Sequence, residues 1–276
     1  MTEKEYRAYP AISRSELWKL NESPEKFKWY REHPEKPTPA LLFGQVVHKL
    51  LLEPNGFETE FAVLPEIDRR TKTGKDEYNA FLEENDGKSI VTLEMFQAAL
   101  EMTEKARQEP FVAKLLKGER EKPFFWTDEV TGEALKCRTD NIGQLSDYPF
   151  VMDYKSCNDA SNDGFMRDAI RWGYDFQAAM YLEGVCINLF GKSVLEMLDS
   201  GKFPPFVFVA QEKTPPYSVN IFNADKEFIR HGYDTFRELT SIYHECKTTG
   251  VYWGYLGKLN IVNELCLPSY LVKNSD

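Results

Sequence analysis

PFVMDYKSC, residues Pro149 to Cys157, has the composition of a buried β-strand and yet carries Asp153 and Lys155 inside it. Side chains alternate across a strand, so these two project from one face while Met152 and Tyr154 take the other. Upstream, EALKCRTDNIG (133–143) reads as a second strand, with Lys136, Arg138 and Asp140 on one face and Leu135, Cys137 and Thr139 on the other. A hairpin turning near Ser146 and Asp147 sets Asp140 opposite, or nearly opposite, Asp153. Facing carboxylates cost a few tenths to about 1 kcal/mol even when exposed, and more when buried, so a cation belongs between them. Two readings satisfy this. In one, Arg138, Asp140, Asp153 and Lys155 form a surface salt-bridge ladder worth little to stability. In the other, Asp140 and Asp153 hold a divalent metal: two carboxylates, a strand carbonyl and waters make the hard oxygen shell of Mg²⁺, and Lys155 points at water or phosphate. Spacing alone leaves both open.

Outward from this pair the chain alternates between helix and strand signals. KPFFWTDEV (122–130) adds a strand before the hairpin, and PPFVFVAQEK (204–213) and YSVNIFN (217–223) add two after it. Helices are expected over 163–190 and 225–247, and over 92–117 with an interruption near Pro110. The N-terminal part is mainly helical. Ser13 ahead of Glu16 is a capping box, and Ser23 before Pro24 starts a helix that Pro34, Pro37 and Pro39 end. ALLFGQVVHKLLLEP (40–54) follows, apolar at Leu41, Leu42, Val46, Val47, Leu50 and Leu51. Residues 58–90 are polar and suggest a loop entering a helix. Their basic cluster, Arg69, Arg70, Lys72 and Lys75, is either a solvated loop or one that contacts phosphate. The order suits a single α/β domain over residues 1–276: a mixed central sheet flanked by helices at 121–250, a helical elaboration at 1–120 and an irregular tail at 251–276.

Composition narrows the class. With 276 residues, 42% of them hydrophobic, the chain fills a substantial core, and its net charge of −10 argues against nonspecific coating of nucleic acid or anionic membrane. A DNA enzyme with its positive charge confined to one groove stays open. The five cysteines are scattered and odd in number, so neither a disulfide framework nor a metal-sulfur cluster is indicated. The charged N-terminus lacks the apolar stretch of a signal peptide, and no run approaches a membrane span, so a cytosolic protein is expected.

Two helical features are weak alone. A lone histidine such as His48 on a mostly apolar helix is more often a satisfied core residue, and Gln177 and Tyr181 at i, i+4 are more often ordinary packing. In order along the chain, however, His48, Asp140, DYK at 153–155 and QAAMY at 177–181 resemble the PD-(D/E)XK nuclease superfamily in its RecB-like branch. ISRSELWKLNESPEKFKWY (12–30), the Gly-x-x-x-His of the 40–54 helix, and KTPPYSVNIFN (213–223) look like RecE-type phage exonucleases. The resemblance spans roughly residues 11–250. It implies a restriction-endonuclease-like core in which His48, Asp140, Asp153 and the Tyr154 carbonyl bind Mg²⁺ or Mn²⁺ and Lys155 orients the attacking water. Gln177 and Tyr181 would hold the scissile phosphate, and Arg69, Arg70, Lys72, Lys75 and Arg138 would contact DNA. Thr139 stands where the superfamily often has proline. The implied activity is exonucleolytic digestion of linear duplex DNA from 5′ ends by a toroidal homo-oligomer, leaving 3′ tails for a RecT-type annealing protein. The rivals are another RecB-like nuclease, or a catalytically silent module that binds DNA ends. No third carboxylate is assigned.

Overall fold

The computed structural model describes residues 1, 3–33, 37–145, 148–258, 262 and 264–266. The expected turn at Ser146 and Asp147, Pro34, and most of the tail lie outside them. From the N-terminus run α1 (Glu3–Ala8), β1 (Ile12–Ser13), α2 (Arg14–Leu20), α3 (Pro24–Glu32) and α4 (Pro39–Leu52). A small unit follows: α5 (Phe57–Glu60), β2 (Phe61–Leu64), α6 (Lys72–Glu84) and β3 (Ser89–Thr92). Then come α7 (Leu93–Gln108), α8 (Pro110–Leu115), β4 (Glu119–Thr127), β5 (Ala134–Leu145), β6 (Tyr148–Cys157), α9 (Asn162–Arg171), α10 (Tyr174–Phe190) and α11 (Val194–Asp199). The described chain closes with β7 (Phe206–Glu212), β8 (Val219–Asn223) and α12 (Lys226–Thr249).

Local chemistry sets several boundaries. The Glu16 carboxylate accepts from the Ser13 backbone N–H at 2.9 Å and its hydroxyl at 2.7 Å, the expected capping box. Ser23 accepts from Lys26 N at 3.2 Å, and Pro24 opens α3. Pro110 separates α7 from α8. The expected helix over 163–190 is two helices, because Gly173 adopts φ +63° between them. A side chain there would also meet the Trp18 ring, 2.4 Å from where its Cβ would stand, so only glycine fits.

Among the described residues one sheet runs β1-β5-β6-β7-β8 with β4 on the other edge of β5. β4, β5 and β6 are antiparallel, β7 runs parallel to β6, β8 returns antiparallel, and β1 joins β5 in parallel, so the sheet is mixed as expected. One face packs on α2, α10 and α12 through residues such as Leu17, Phe176, Ala179, Phe208 and Phe236. The other packs on α4 and α7 through Val46, Val47, Leu51, Met102 and Val209. β2 and β3 form a separate parallel pair within the stretch expected to be a loop. Strands of four residues in polar surroundings are too short to show a period.

α12 crosses the first turn of α10 closely. A Cβ built on Gly232 would lie 2.0 Å from the Asp175 carbonyl oxygen, so backbone meets backbone there.

Candidate active site

β5 changes partners along one edge. It pairs with β1 at Leu135 and Lys136, and with β6 from Asn141↔Met152 to Leu145↔Tyr148. Asp140 and Asp153 would form the next rung of the β5–β6 ladder, where the two strands part. A cavity of about 540 Å³ opens there, and its lining includes His48, Glu121, Asp140, Asp153, Lys155 and Gln177.

The regular alternation read for β5 does not persist to this point. Leu135, Cys137 and Ile142 all enter the same core, so the pattern slips between Cys137 and Ile142. On β4, the residue facing Asp140 is Glu121, between the pairs Arg120↔Asn141 and Lys122↔Thr139, and its φ is +50°. A non-glycine residue in that region costs of order 1–3 kcal/mol and is held there by its surroundings. Three carboxylates on three neighbouring strands thus converge, and Glu121 is the third carboxylate left unassigned by the sequence. Its setting, GEREKPFFW, reads as an exposed strand start.

His48, on α4, joins them. Its Nε2 is 3.0 Å from Asp140 Oδ1 and its Nδ1 is 3.5 Å from Glu121 Oε1. Asp140 Oδ2 accepts the Tyr154 backbone N–H at 2.7 Å. The Tyr154 side chain lies on the opposite face, its hydroxyl donating to Gln211 at 2.6 Å. Asp153 is buried, with Lys155 Nζ 2.6 Å from its Oδ2. Gln177 ties the pair together: its Oε1 accepts from Lys155 at 2.9 Å and its Nε2 donates to Asp153 Oδ1. Tyr181, one turn along α10, lines the same cavity. The surface ladder is therefore not what forms. Arg138 pairs with Glu121 at 2.6 Å and Asp140 with His48, while Asp153 keeps Lys155.

The sequence did not single out Arg14. Its guanidinium lies against the stacked rings of Trp18 and Phe176 (5.3 and 5.6 Å) and donates to the carbonyls of Trp172 and Gly173, the latter at 2.8 Å. It lines the cavity beside Gln177. The basic cluster expected to contact DNA is not brought to this cavity. Arg70 pairs with Asp68, Arg69 stacks on Tyr78, and Lys72 and Lys75 begin α6. All four follow the C-terminal end of β2, whereas the groove beside the site is reached by the opposite ends of β2 and β3, at Phe61 and Ser89.

Burial and charge shift the titration of the cluster. Burial raises the carboxyls of Glu121 to about 7 and Asp153 to about 6, each also facing the charge of Asp140. Burial alone would lower His48, but the charges of Asp140 and Glu121 outweigh it and raise the imidazole to about 9. Burial likewise pushes Asp140 up, but His48, with the Lys155 charge and the Tyr154 N–H, more than reverses this and holds the carboxyl below its usual value.

This set fits a divalent cation. His48, Glu121 and Asp140 each offer a ligand atom, all within 4.8 Å of one another. Within the cluster, the buried Glu121 Oε1 accepts no hydrogen bond, and Asp153 Oδ2 is paired with the Lys155 ammonium at 2.6 Å. Unused carboxylate lone pairs together with one imidazole nitrogen make a donor set for a hard or borderline ion.

A pH dependence follows. The folded carboxyls of Glu121 and Asp153 hold protons that the unfolded chain has released, so metal-free stability falls as pH rises from the ordinary carboxylate range towards about 7. The contribution of His48 is complete below its unfolded value near 6.5 and is lost as pH climbs towards about 9. A metal needs the same groups deprotonated. Thermal melts in chelator should give a Tm that declines from pH 6 to 9, and added Mg²⁺ or Mn²⁺ should raise Tm more at pH 8.5 than at pH 6. An equal rise at both would contradict the cluster as the binding site.

Comparison with known proteins bears on the fold and the family. Among solved structures, "Putative exonuclease" from Eubacterium rectale superposes with a TM-score of 0.62 at 15% identity, covering 97% of this chain and 96% of that one, which shows a common fold. A second, SSO0001, is more distant, with a TM-score of 0.37 at 12% identity over 85% of this chain and 81% of that one. No curated protein matches the chain in sequence. No described helix is long and apolar enough to cross a membrane. Residues 13–264 match the PDDEXK-like domain of unknown function (DUF3799), and the chain belongs to that family.

Proposed function

We propose that the chain is a divalent-metal-dependent DNA nuclease, using Mg²⁺ or Mn²⁺ and degrading linear duplex DNA from its ends in the 5′-to-3′ sense. The observation that carries this reading is the joining of His48, Glu121 and Asp140, whose ligand atoms lie within 4.8 Å of one another, to the Asp153–Lys155–Gln177 chain beside them. A divalent ion bound there supplies charge neutralisation and water activation for phosphodiester hydrolysis. Lys155 presents a fixed ammonium at the cavity wall, where it orients a water or meets charge developing on phosphate oxygens. Gln177 fixes that ammonium and the Asp153 carboxylate in one arrangement, which spares reorganisation when the substrate reacts. Tyr181 and Arg14 border the space a phosphate would enter.

Exonucleolytic action, the 5′ start and the 3′ tails rest on the RecE-type motifs at residues 12–30 and 40–54. So do the toroidal homo-oligomer and the hand-over to an annealing protein in phage-type recombination. The name of the Eubacterium rectale neighbour supports the exonucleolytic part. Linear duplex DNA labelled at either end, incubated with Mg²⁺, with Mn²⁺ or with chelator, tests the reading. Metal-dependent release from a 5′ end is expected. Cutting of closed circles would make the enzyme an endonuclease, and no cutting under any condition would refute the reading.

A further inference from the structure

The family match begins at residue 13, so the N-terminal helix α1 is not covered by it, yet α1 reaches the active cavity. Its anchor is Lys136 on β5. This lysine is only 3% exposed, and its ammonium donates to the backbone carbonyls of Tyr6 (2.9 Å), Arg7 (3.2 Å) and Tyr9 (2.9 Å). These three hydrogen bonds tie the ammonium to a segment some 130 residues away in sequence. Aromatic packing completes the seat. Tyr9 lies 4.2 Å and Tyr6 6.2 Å from Phe125 on β4, and the Arg138 guanidinium covers the Tyr6 ring at 5.0 Å.

The seat has a consequence for the cavity walls. Tyr6 and Arg7 line the active cavity, and Lys4, Arg7 and Ala8 line a neighbouring groove of about 1450 Å³ that shares His48, Arg138 and Lys155 with it. Arg7 is exposed and stands where the two spaces meet. In that groove Glu53 and Glu60 are paired with Lys49, while Lys4, Arg7 and Lys213 add positive charge to the lining, which favours entry of a polyanion past the junction.

We propose that α1 is a strap, seated by Lys136, that delivers Arg7 to the sugar-phosphate backbone of the nucleic-acid strand running from the groove into the active cavity. This rests on the nuclease reading above. Arg7 is then a substrate contact and Lys136 a positioning residue. A single phosphate contact contributes just under one unit to the slope of log affinity against log salt, and it acts on binding more than on the chemical step.

The test uses the full chain in two assays. In cleavage of linear duplex DNA with Mg²⁺, Arg7→Ala should raise KM about 5- to 10-fold with kcat within about twofold, and make the salt dependence of KM shallower by about one unit, while Arg7→Lys keeps the parental slope. Lys136→Met should reproduce the KM and slope of Arg7→Ala. Parental KM and slope in Arg7→Ala would overturn the proposal, as would a fall in kcat with both unchanged. Parental KM in Lys136→Met would remove its positioning role. The second assay, binding of a fluorescent duplex in Ca²⁺ followed by anisotropy, separates this inference from the nuclease reading. If the parent binds but does not cut, the nuclease reading fails and the Arg7→Ala affinity and salt slope still decide the proposal. A parent that neither binds nor cuts overturns both.

Discussion

Asp153→Asn should lower kcat for metal-dependent cleavage of linear duplex DNA by about 10³-fold or more, corresponding to roughly 4 kcal/mol of lost transition-state stabilisation. Asp153 is the hub of the site. Its Oδ1 is held by Gln177, and its buried Oδ2 lies 2.6 Å from the Lys155 ammonium. Asparagine keeps the volume and loses the charge. Lys155 then stands 19% exposed without its carboxylate, retaining the Gln177 carbonyl oxygen, so near-UV circular dichroism should report an intact fold. The decisive measurement is single-turnover cleavage against parent at saturating Mg²⁺. A variant within tenfold of parent would remove Asp153 from the chemistry, and the site would have to be rebuilt around His48, Glu121 and Asp140 alone.

Gly232→Ala should destabilise the protein by about 3 kcal/mol, lowering Tm by about 6–12 °C. The new methyl would fall 2.0 Å from the Asp175 carbonyl oxygen and 2.6 Å from the Phe176 nitrogen, both backbone atoms in the first turn of α10, so no side-chain rotation relieves the overlap. α12 must move away from α10 or α10 must shift towards the sheet. Either movement displaces Gln177, whose own N–H is bonded to the Gly173 carbonyl in that same turn. Cleavage should therefore fall along with Tm. A variant with parental Tm, measured by calorimetry, would show that the crossing is looser than these distances.

The hairpin was legible because a charged pair inside the apolar run of β6 is conspicuous. The order of helices and strands followed from turn and cap chemistry that acts over a few residues, as Ser13, Ser23 and Pro110 show. What escaped the sequence depends on longer range or on backbone detail. Glu121 looks like one charge among several at a strand start, and its φ of +50° is imposed by neighbours on β4 and β5. The slip of β5 between Cys137 and Ile142 belongs to the place where it exchanges β1 for β6, and strand pairing is decided by the whole sheet. Alternation puts Lys136 on one face with Arg138 and Asp140, but the three side chains serve different ends. Lys136 anchors α1, Arg138 pairs with Glu121, and Asp140 faces His48. The basic cluster at 69–75 was conspicuous as composition. Its location depends on which end of a four-residue strand faces the groove, and composition carries no such information.

The two faces of the sheet meet at the active cavity through different helices. His48 belongs to α4, packed with Val46, Val47 and Leu51 on one face, while Gln177 belongs to α10, packed with Phe176 and Ala179 on the other. Asp140 and Asp153 lie between them, at the fork in the sheet. The site therefore works as a rivet through the two layers: His48 ties α4 to Asp140 on β5, and Gln177 ties α10 to Asp153 on the neighbouring β6.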